Sequence, residues 1–173
     1  HDIVIEDFYF TVIRNPFDFW VSMFFFNKDT NQTGTYYWNE ENREAERKLT
    51  DPQKIKFHFN AFIDWAYDDW SSDKNRHILP ISENYKTYCF TQDGVYLPNT
   101  VCKFESLHEN VGAMLESLGF DNATDNINKH SELEIWKNKT KHKKYTEYYD
   151  KSSIEKVTYM EKYILEKYNY TYS

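Results

Sequence analysis

The stretch FYFTVIRNPFDFWVSMFFF, residues 8–26, constrains the fold more than any other part of the chain. Its first six residues are an unbroken run of aromatic and β-branched side chains, the composition of a strand buried on both faces. Arg14, Asn15 and Pro16 then interrupt the run. Asn15 suits a helix N-cap, and Pro16 falls at the first helical position, where its missing N–H costs nothing. Beyond it, aromatic residues point to all sides of a helix reaching about Asn27, so that helix is expected to be buried all round. A buried strand feeding a buried helix predicts an α/β protein.

The join between the two is the place to look for chemistry. In open α/β sheets ligands sit outside the carboxyl ends of strands, and a helix N-terminus offers N–H groups and a positive dipole end to an anion. Arg14 adds a planar fork that matches phosphate oxygens. Ser22, eight residues on, lies about two helical turns along and can offer its hydroxyl to the same anion. The alternative is that Arg14 pairs with a carboxylate and Ser22 merely packs.

The remainder reads as one globular domain over residues 1–173, long enough to need no staple. A net charge of −7 argues against non-specific nucleic-acid binding. No run of about 18 apolar residues marks a membrane span, and no secretory leader is evident. His1 in place of an initiator Met marks the chain as processed or excised. Residues 29–48 are polar and read as a surface excursion, partly helical from Asn39. Pro52 starts a helix on which Phe59, Phe62, Ile63, Ala66 and Trp70 recur at helical spacing. Residues 71–84 read as a loop and 100–104 as a short strand. Ser106 to Gly119 reads as a helix with a Ser106/Glu109 capping box and a glycine stop. Residues 121–144 read as polar and mostly irregular. A second capping box, Ser152/Glu155, opens a last helix whose apolar face is Ile154, Val157, Met160, Ile164, Leu165 and Tyr168.

Several segments together resemble the sulfotransferase family. VIRNPFDFWVSMFF is similar to its 3′-phosphate-binding motif, a strand, Arg-x-Pro, and Ser eight residues after the Arg. FHFNAFIDWAYDD resembles its Phe-rich helix. RHILPISENY resembles the His-x-x-Pro segment of the carbohydrate-directed branch, with Ile78 where Trp is usual. VCKFESLHENVGAMLESLGF resembles its strand–Glu–Leu–helix unit, and HKKYTEYYDKSSIEKVTYMEKYILEKYNY its closing Tyr-rich helix. The resemblance implies a three-layer α/β sandwich with a central parallel sheet, related to P-loop nucleotide-binding folds. It implies transfer of a sulfuryl group from 3′-phosphoadenosine-5′-phosphosulfate (PAPS) to a hydroxyl, on a glycan, with no metal. Arg14 and Ser22 would then hold the 3′-phosphate. Glu105 stands at the family's Glu position, where a structural role, capping or pairing the next helix, outweighs catalysis.

The phosphate loop that relatives carry ahead of the Arg-x-Pro motif has no counterpart in the thirteen residues before Arg14, and no general base is identified. The chain therefore resembles the C-terminal part of a sulfotransferase domain, and the strand at 8–13 is expected to leave an exposed sheet edge through which copies self-associate. A catalytically inactive relative that binds glycans or assembles with a partner is the alternative function. A P-loop kinase is weaker, since no G-x-x-x-x-G-K-[ST] pattern occurs.

WKNKTKHKK, residues 136–144, concentrates five Lys and one His just before the last helix. Relatives place nucleotide- or glycan-contacting residues there, so Lys139, Lys141 and Lys143 are candidate substrate ligands, as is His77 in the His-x-x-Pro segment. A solvated loop is the alternative for the lysines, and a structural hydrogen bond for His77. Trp38, Trp65 and Trp70 could stack on sugars, although aromatic residues at helical spacing usually form core.

Cys89 and Cys102 flank a stretch with Gly94 and Pro98 that can turn back on itself, so a disulfide is expected between them. Together with N-x-S/T sequons at Asn31, Asn122, Asn138 and Asn169, this leans toward the Golgi lumen or secretory pathway. A cytoplasmic site, in a bacterial or viral protein, is the alternative.

Overall fold

The computed structural model describes residues 8–29, 50–72, 78–131 and 140–173, without the side chains of 29, 130 and 131. The sequons at Asn31 and Asn138, the excursion at 29–48, Trp38, His77 and Lys139 lie outside the described residues. The chain divides into two compact units. The first is built from residues up to Arg14 and from Lys86–Lys139, the second from Asn15–Tyr85 and Thr140–Ser173.

In the second unit two prolines set the helix starts. Helix α1 is Pro16–Asp29 and helix α2 is Pro52–Ser71. Each proline occupies the first helical position behind an Asn or Asp cap. Asn15 Oδ1 accepts from Phe17 N at 3.0 Å and Asp51 Oδ1 from Gln53 N at 2.9 Å. The aromatic faces then meet. Phe17, Trp20, Val21 and Phe24 of α1 pack with Phe59, Phe62, Ile63 and Ala66 of α2, all but sealed from solvent. Rings meet edge-on, as their quadrupoles favour: Phe24 and Phe59 lie 5.6 Å apart at 88°. The closing helices α6 (Lys151–Met160) and α7 (Lys162–Tyr168) add Val157, Met160 and Leu165 to the same core. Tyr149 joins them; its hydroxyl donates to Phe17 O at 2.9 Å, and burial pushes its phenol well above the ordinary value.

The first unit holds a small parallel sheet. Strand β1 (Phe10–Ile13) pairs with β2 (Thr100–Lys103), Phe10 opposite Thr100 and Ile13 opposite Lys103. Asn99 fastens the start of the pair: its side chain accepts from Tyr9 N at 2.9 Å and its own N–H donates to Tyr9 O at 2.7 Å. A 3₁₀ turn at Phe104–Ser106 leads into α4 (Leu107–Ser117), which packs on α5 (Ala123–Ser131). Gly112 makes this approach possible, because a Cβ there would stand 2.7 Å from Thr124 Cα. Gly119, at φ +90°, stops α4 with Phe120 N returning to Leu115 O. Helix α3, Ile81–Cys89, begins in the second unit and ends in the first.

The mixed α/β class is as expected, but several local expectations are corrected. Strand β1 is not buried on both faces: Ile13 is 1% exposed, while Phe10 is 50% and Val12 42% exposed. The reason is that the described residues form a sheet of two strands, so β1 has one paired edge and an uncovered face, narrower than the central sheet of a sandwich. Residues 71–84 are not all loop, since α3 starts within them, and α5 is the helical part of the mostly irregular stretch 121–144. Both are short polar helices whose starts are held by carboxylates from elsewhere, Glu161 for α3 and Glu116, through Thr124 N at 3.0 Å, for α5. Neither capping box is made. Ser106 forms no cap bond because the 3₁₀ turn has already begun winding the chain, and α6 is capped by Asp150, whose Oδ1 accepts from Ser153 N at 2.8 Å. The last helix is interrupted at Glu161 rather than continuous.

The expected Cys89–Cys102 disulfide is not formed; both residues are free, buried thiols. The loop between them is closed by backbone instead. Leu97 N donates to Cys89 O and Phe90 bridges Tyr96, so the turn needs no covalent tie. Burial raises the Cys102 thiol above its ordinary value, which keeps it protonated and inert.

Candidate functional site

Helix α1 carries the serine of the predicted phosphate motif. At its start two backbone N–H groups are already engaged. Pro16 has no N–H, Phe17 N is taken by the Asn15 side chain, and Phe19 N donates to Asn15 O.

Ser22 is half-buried, and its Oγ lies 2.9 Å from Thr140 Oγ1. One turn further along the same face, Phe25 stacks on His142, with ring centres 5.6 Å apart and planes at 26°. The segment 140–144 is therefore an extended strap laid along α1. Its residues alternate as an extended chain must. Thr140 and His142 are half-buried against the helix, and Lys141 and Lys143 are exposed. Two further bonds hold the strap. Lys143 N donates to Tyr148 OH at 2.9 Å, and His142 Nδ1 donates to Lys143 O at 2.8 Å. Lys143 Nζ pairs with Glu147 at 3.1 Å, with both side chains at least half exposed. The predicted Ser22 and the predicted Lys141 and Lys143 are thereby brought into one neighbourhood, but the lysines face solvent.

Arg14, in the first unit, is half-buried and stands with its guanidinium carbon 4.6 Å from the ring centre of Phe104. That geometry is a cation–π contact, which holds the fork at the carboxyl end of β1. Glu105, next in the chain, is exposed in the 3₁₀ turn. Among the described residues no three His, Cys, Asp or Glu side chains gather as a metal site.

Sequence reasoning missed three residues. Thr140 and His142 were hidden among lysines; the period-two alternation of Thr-Lys-His-Lys was the signal that could have separated them. Glu161 is one of 28 acidic residues, with nothing in the sequence to mark it. It is fully buried. Its carboxylate accepts from Trp20 Nε1 at 3.0 Å, Ile81 N at 2.9 Å and Ser82 N at 2.8 Å. In return Ser82 Oγ accepts from Ile164 N at 3.3 Å, in the first turn of α7. The two helices α3 and α7 thus cap each other, each lending a side chain to the other's orphan N–H groups.

A helical unit carrying a hydroxyl pair beside a lysine-rich strap, and a unit with a small parallel sheet and an arginine closing its first strand, define the class: a mixed α/β protein. The profile described as the sulfotransferase family matches residues 1–173, and the chain belongs to that family. No curated protein matches it. No solved structure does either.

Proposed function

We propose that this sulfotransferase-family chain uses PAPS as donor, with Arg14 and Ser22 as ligands of its 3′-phosphate, and delivers the sulfuryl group to a carbohydrate hydroxyl. The observation that carries the reading is the Ser22–Thr140 contact, which seats the lysine-bearing strap on the helix of the Arg-x-Pro…Ser motif. The assignment of Arg14 rests on that motif's order and spacing in the chain. The carbohydrate acceptor rests on the resemblance of RHILPISENY to the carbohydrate-directed branch, and His77, Lys139, Lys141 and Lys143 are proposed on its side or along the donor's phosphates.

In such a transfer the acceptor oxygen attacks sulfur. The S–O bond to the nucleotide's 5′-phosphate breaks in line, and the acceptor proton passes to a base. Exposed ammonium groups such as Lys141 raise the local concentration of an anionic donor, and hydroxyl donors such as Ser22 and Thr140 fix its orientation. No residue is assigned as the base. A luminal location is proposed on the exposed sequons Asn122 and Asn169; the free thiols give it no support.

Calorimetry with 3′,5′-adenosine bisphosphate and with 5′-AMP tests the reading. Arg14→Ala is expected to lose roughly 2–4 kcal/mol with the bisphosphate, as for truncating a buried charged partner, and little with 5′-AMP. Ser22→Ala should lose about 1 kcal/mol on the same ligand. Equal losses on both ligands would overturn the assignment. Turnover of labelled PAPS with a glycan panel separates the enzyme from an inactive glycan-binding relative.

A further inference from the structure

Beyond α7 the chain turns back onto the second unit. Asn169 sits in the left-handed region at φ +54°, a conformation asparagine tolerates, and Tyr170 N returns to Leu165 O at 3.0 Å. The next residues lie against two elements far away in the sequence. The Tyr172 ring stands edge-on to Phe17 of α1 at 5.1 Å, to Tyr149 at 5.6 Å and to Tyr145 at 5.8 Å. Its hydroxyl donates to Thr146 O at 3.0 Å, and burial, with Tyr145 alongside, raises its phenol above the ordinary value, so it stays a donor at neutral pH. Tyr145 OH in turn donates to Ser173 O at 2.7 Å and accepts from Ser173 N at 3.3 Å and from Asn15 Nδ2, of the α1 cap, at 3.5 Å. That uses its one proton and both lone pairs.

Both anchors bear on Ser22. Phe17 precedes it by five residues, about 7.5 Å along α1. Tyr145 and Thr146 belong to the 3₁₀ turn, Tyr145–Glu147, from which the strap runs back along the helix. One ring therefore joins the helix to the root of the strap, and the spacing it sets governs where Thr140 meets Ser22. Edge-on aromatic pairs prefer a defined geometry, so three of them around one ring resist sliding better than a plain apolar contact. We propose that Tyr172 is a positioning residue for the 3′-phosphate site: by bridging Phe17 and Tyr145 it fixes the register of the strap on α1, and with it the orientation of the Ser22 hydroxyl. The inference rests on the reading of Ser22 as a 3′-phosphate ligand. Tyr172 acts through other residues, so its docking and the binding of that phosphate favour each other by the same factor, as two coupled equilibria must.

The test is calorimetry on the full chain with 3′,5′-adenosine bisphosphate and 5′-AMP as probes. The ratio of their affinities isolates the 3′-phosphate, and a mere loss of stability lowers both affinities alike. Tyr172→Ala is expected to cut the preference for the bisphosphate about fivefold, the worth of one well-oriented hydrogen bond. Tyr172→Phe keeps the ring, loses only the bond to Thr146 and should retain the wild-type preference. A wild-type preference in Tyr172→Ala, or a Tyr172→Phe as impaired as Tyr172→Ala, overturns the inference and leaves the Ser22 reading standing. A wild-type chain with no preference overturns both. Hydrogen exchange of the Ser173 amide, followed by NMR in the wild-type protein, guards against a misfolded variant. The Tyr145 hydroxyl protects that amide, and its exchange should be about fivefold slower under saturating bisphosphate than under saturating 5′-AMP, the reciprocal of the same coupling. Equal rates refute the positioning role.

Discussion

Removing the Glu161 carboxylate is expected to destabilise the second unit more than any exposed substitution can. The side chain is fully buried and receives three N–H donors from two other elements, the Trp20 indole of α1 and the Ile81 and Ser82 amides of α3. Glu161→Ala leaves all three without an acceptor. A buried polar group left unpaired costs about 1–3 kcal/mol, so the gross loss is on the order of 3–9 kcal/mol. Part of this is offset, because the folded protein no longer has to desolvate a carboxylate, a term of several kcal/mol. A net loss of about 2–4 kcal/mol follows, a large share of the roughly 5–15 kcal/mol that holds an average domain. Glu161→Gln keeps one oxygen, which can serve two of the three donors while its amide opposes the third, and should lose about 1–2 kcal/mol.

The assay is urea unfolding followed by far-UV circular dichroism and by tryptophan fluorescence. A loss under about 1 kcal/mol for Glu161→Ala at unchanged m would refute the reasoning. The pH dependence gives a second check. Burial raises the Glu161 carboxyl above its ordinary value of 4.5, although the Ser82 and Ile81 amides and the Trp20 indole pull it down. With the folded value the higher one, the unfolded chain releases its proton first as pH rises. Stability from this group is therefore full below pH 4.5 and is lost from there up to the raised folded value. Glu161→Gln should remove that step from the stability–pH profile.

Three further outcomes are expected. Gly112→Ala places a methyl 2.7 Å from Thr124 Cα and should cost about 1–3 kcal/mol by forcing α4 and α5 apart, read as a lower thermal midpoint; an unchanged midpoint would show that the pair can yield. Cys89 and Cys102 should resist a thiol reagent in the native protein and both react in denaturant, and a single disulfide-linked species in non-reducing peptide maps would contradict this. We propose that copies associate through the edge of β1 that is unpaired among the described residues; that association should weaken when exposed Phe10 is changed to Lys, measured by sedimentation against concentration, and a monomer at all concentrations, or an oligomer unaffected by Phe10→Lys, refutes it.

The sequence by itself determined the local grammar of this protein. Asn15-Pro16 and Asp51-Pro52 start helices where they stand because a cap and a fixed φ act within two residues. The glycine stop at Gly119 and the apolar stripes of α1 and α2 are likewise short-range patterns that survive into the structure. The Ser22 and Arg14 candidates were legible for the same reason, as spacing within one motif. The tertiary structure decided what depends on partners far along the chain. The polar helices α3 and α5 draw their cap bonds from Glu161 and Glu116, so their own composition did not announce them. The burial of β1 depended on how many strands flank it, which no residue in FYFTVI encodes. Whether the strap laid its lysines or Thr140 and His142 against α1 depended on its register along the helix, where a slip of one residue exchanges the two sets, and packing of Thr140 on Ser22 and His142 on Phe25 chose between them.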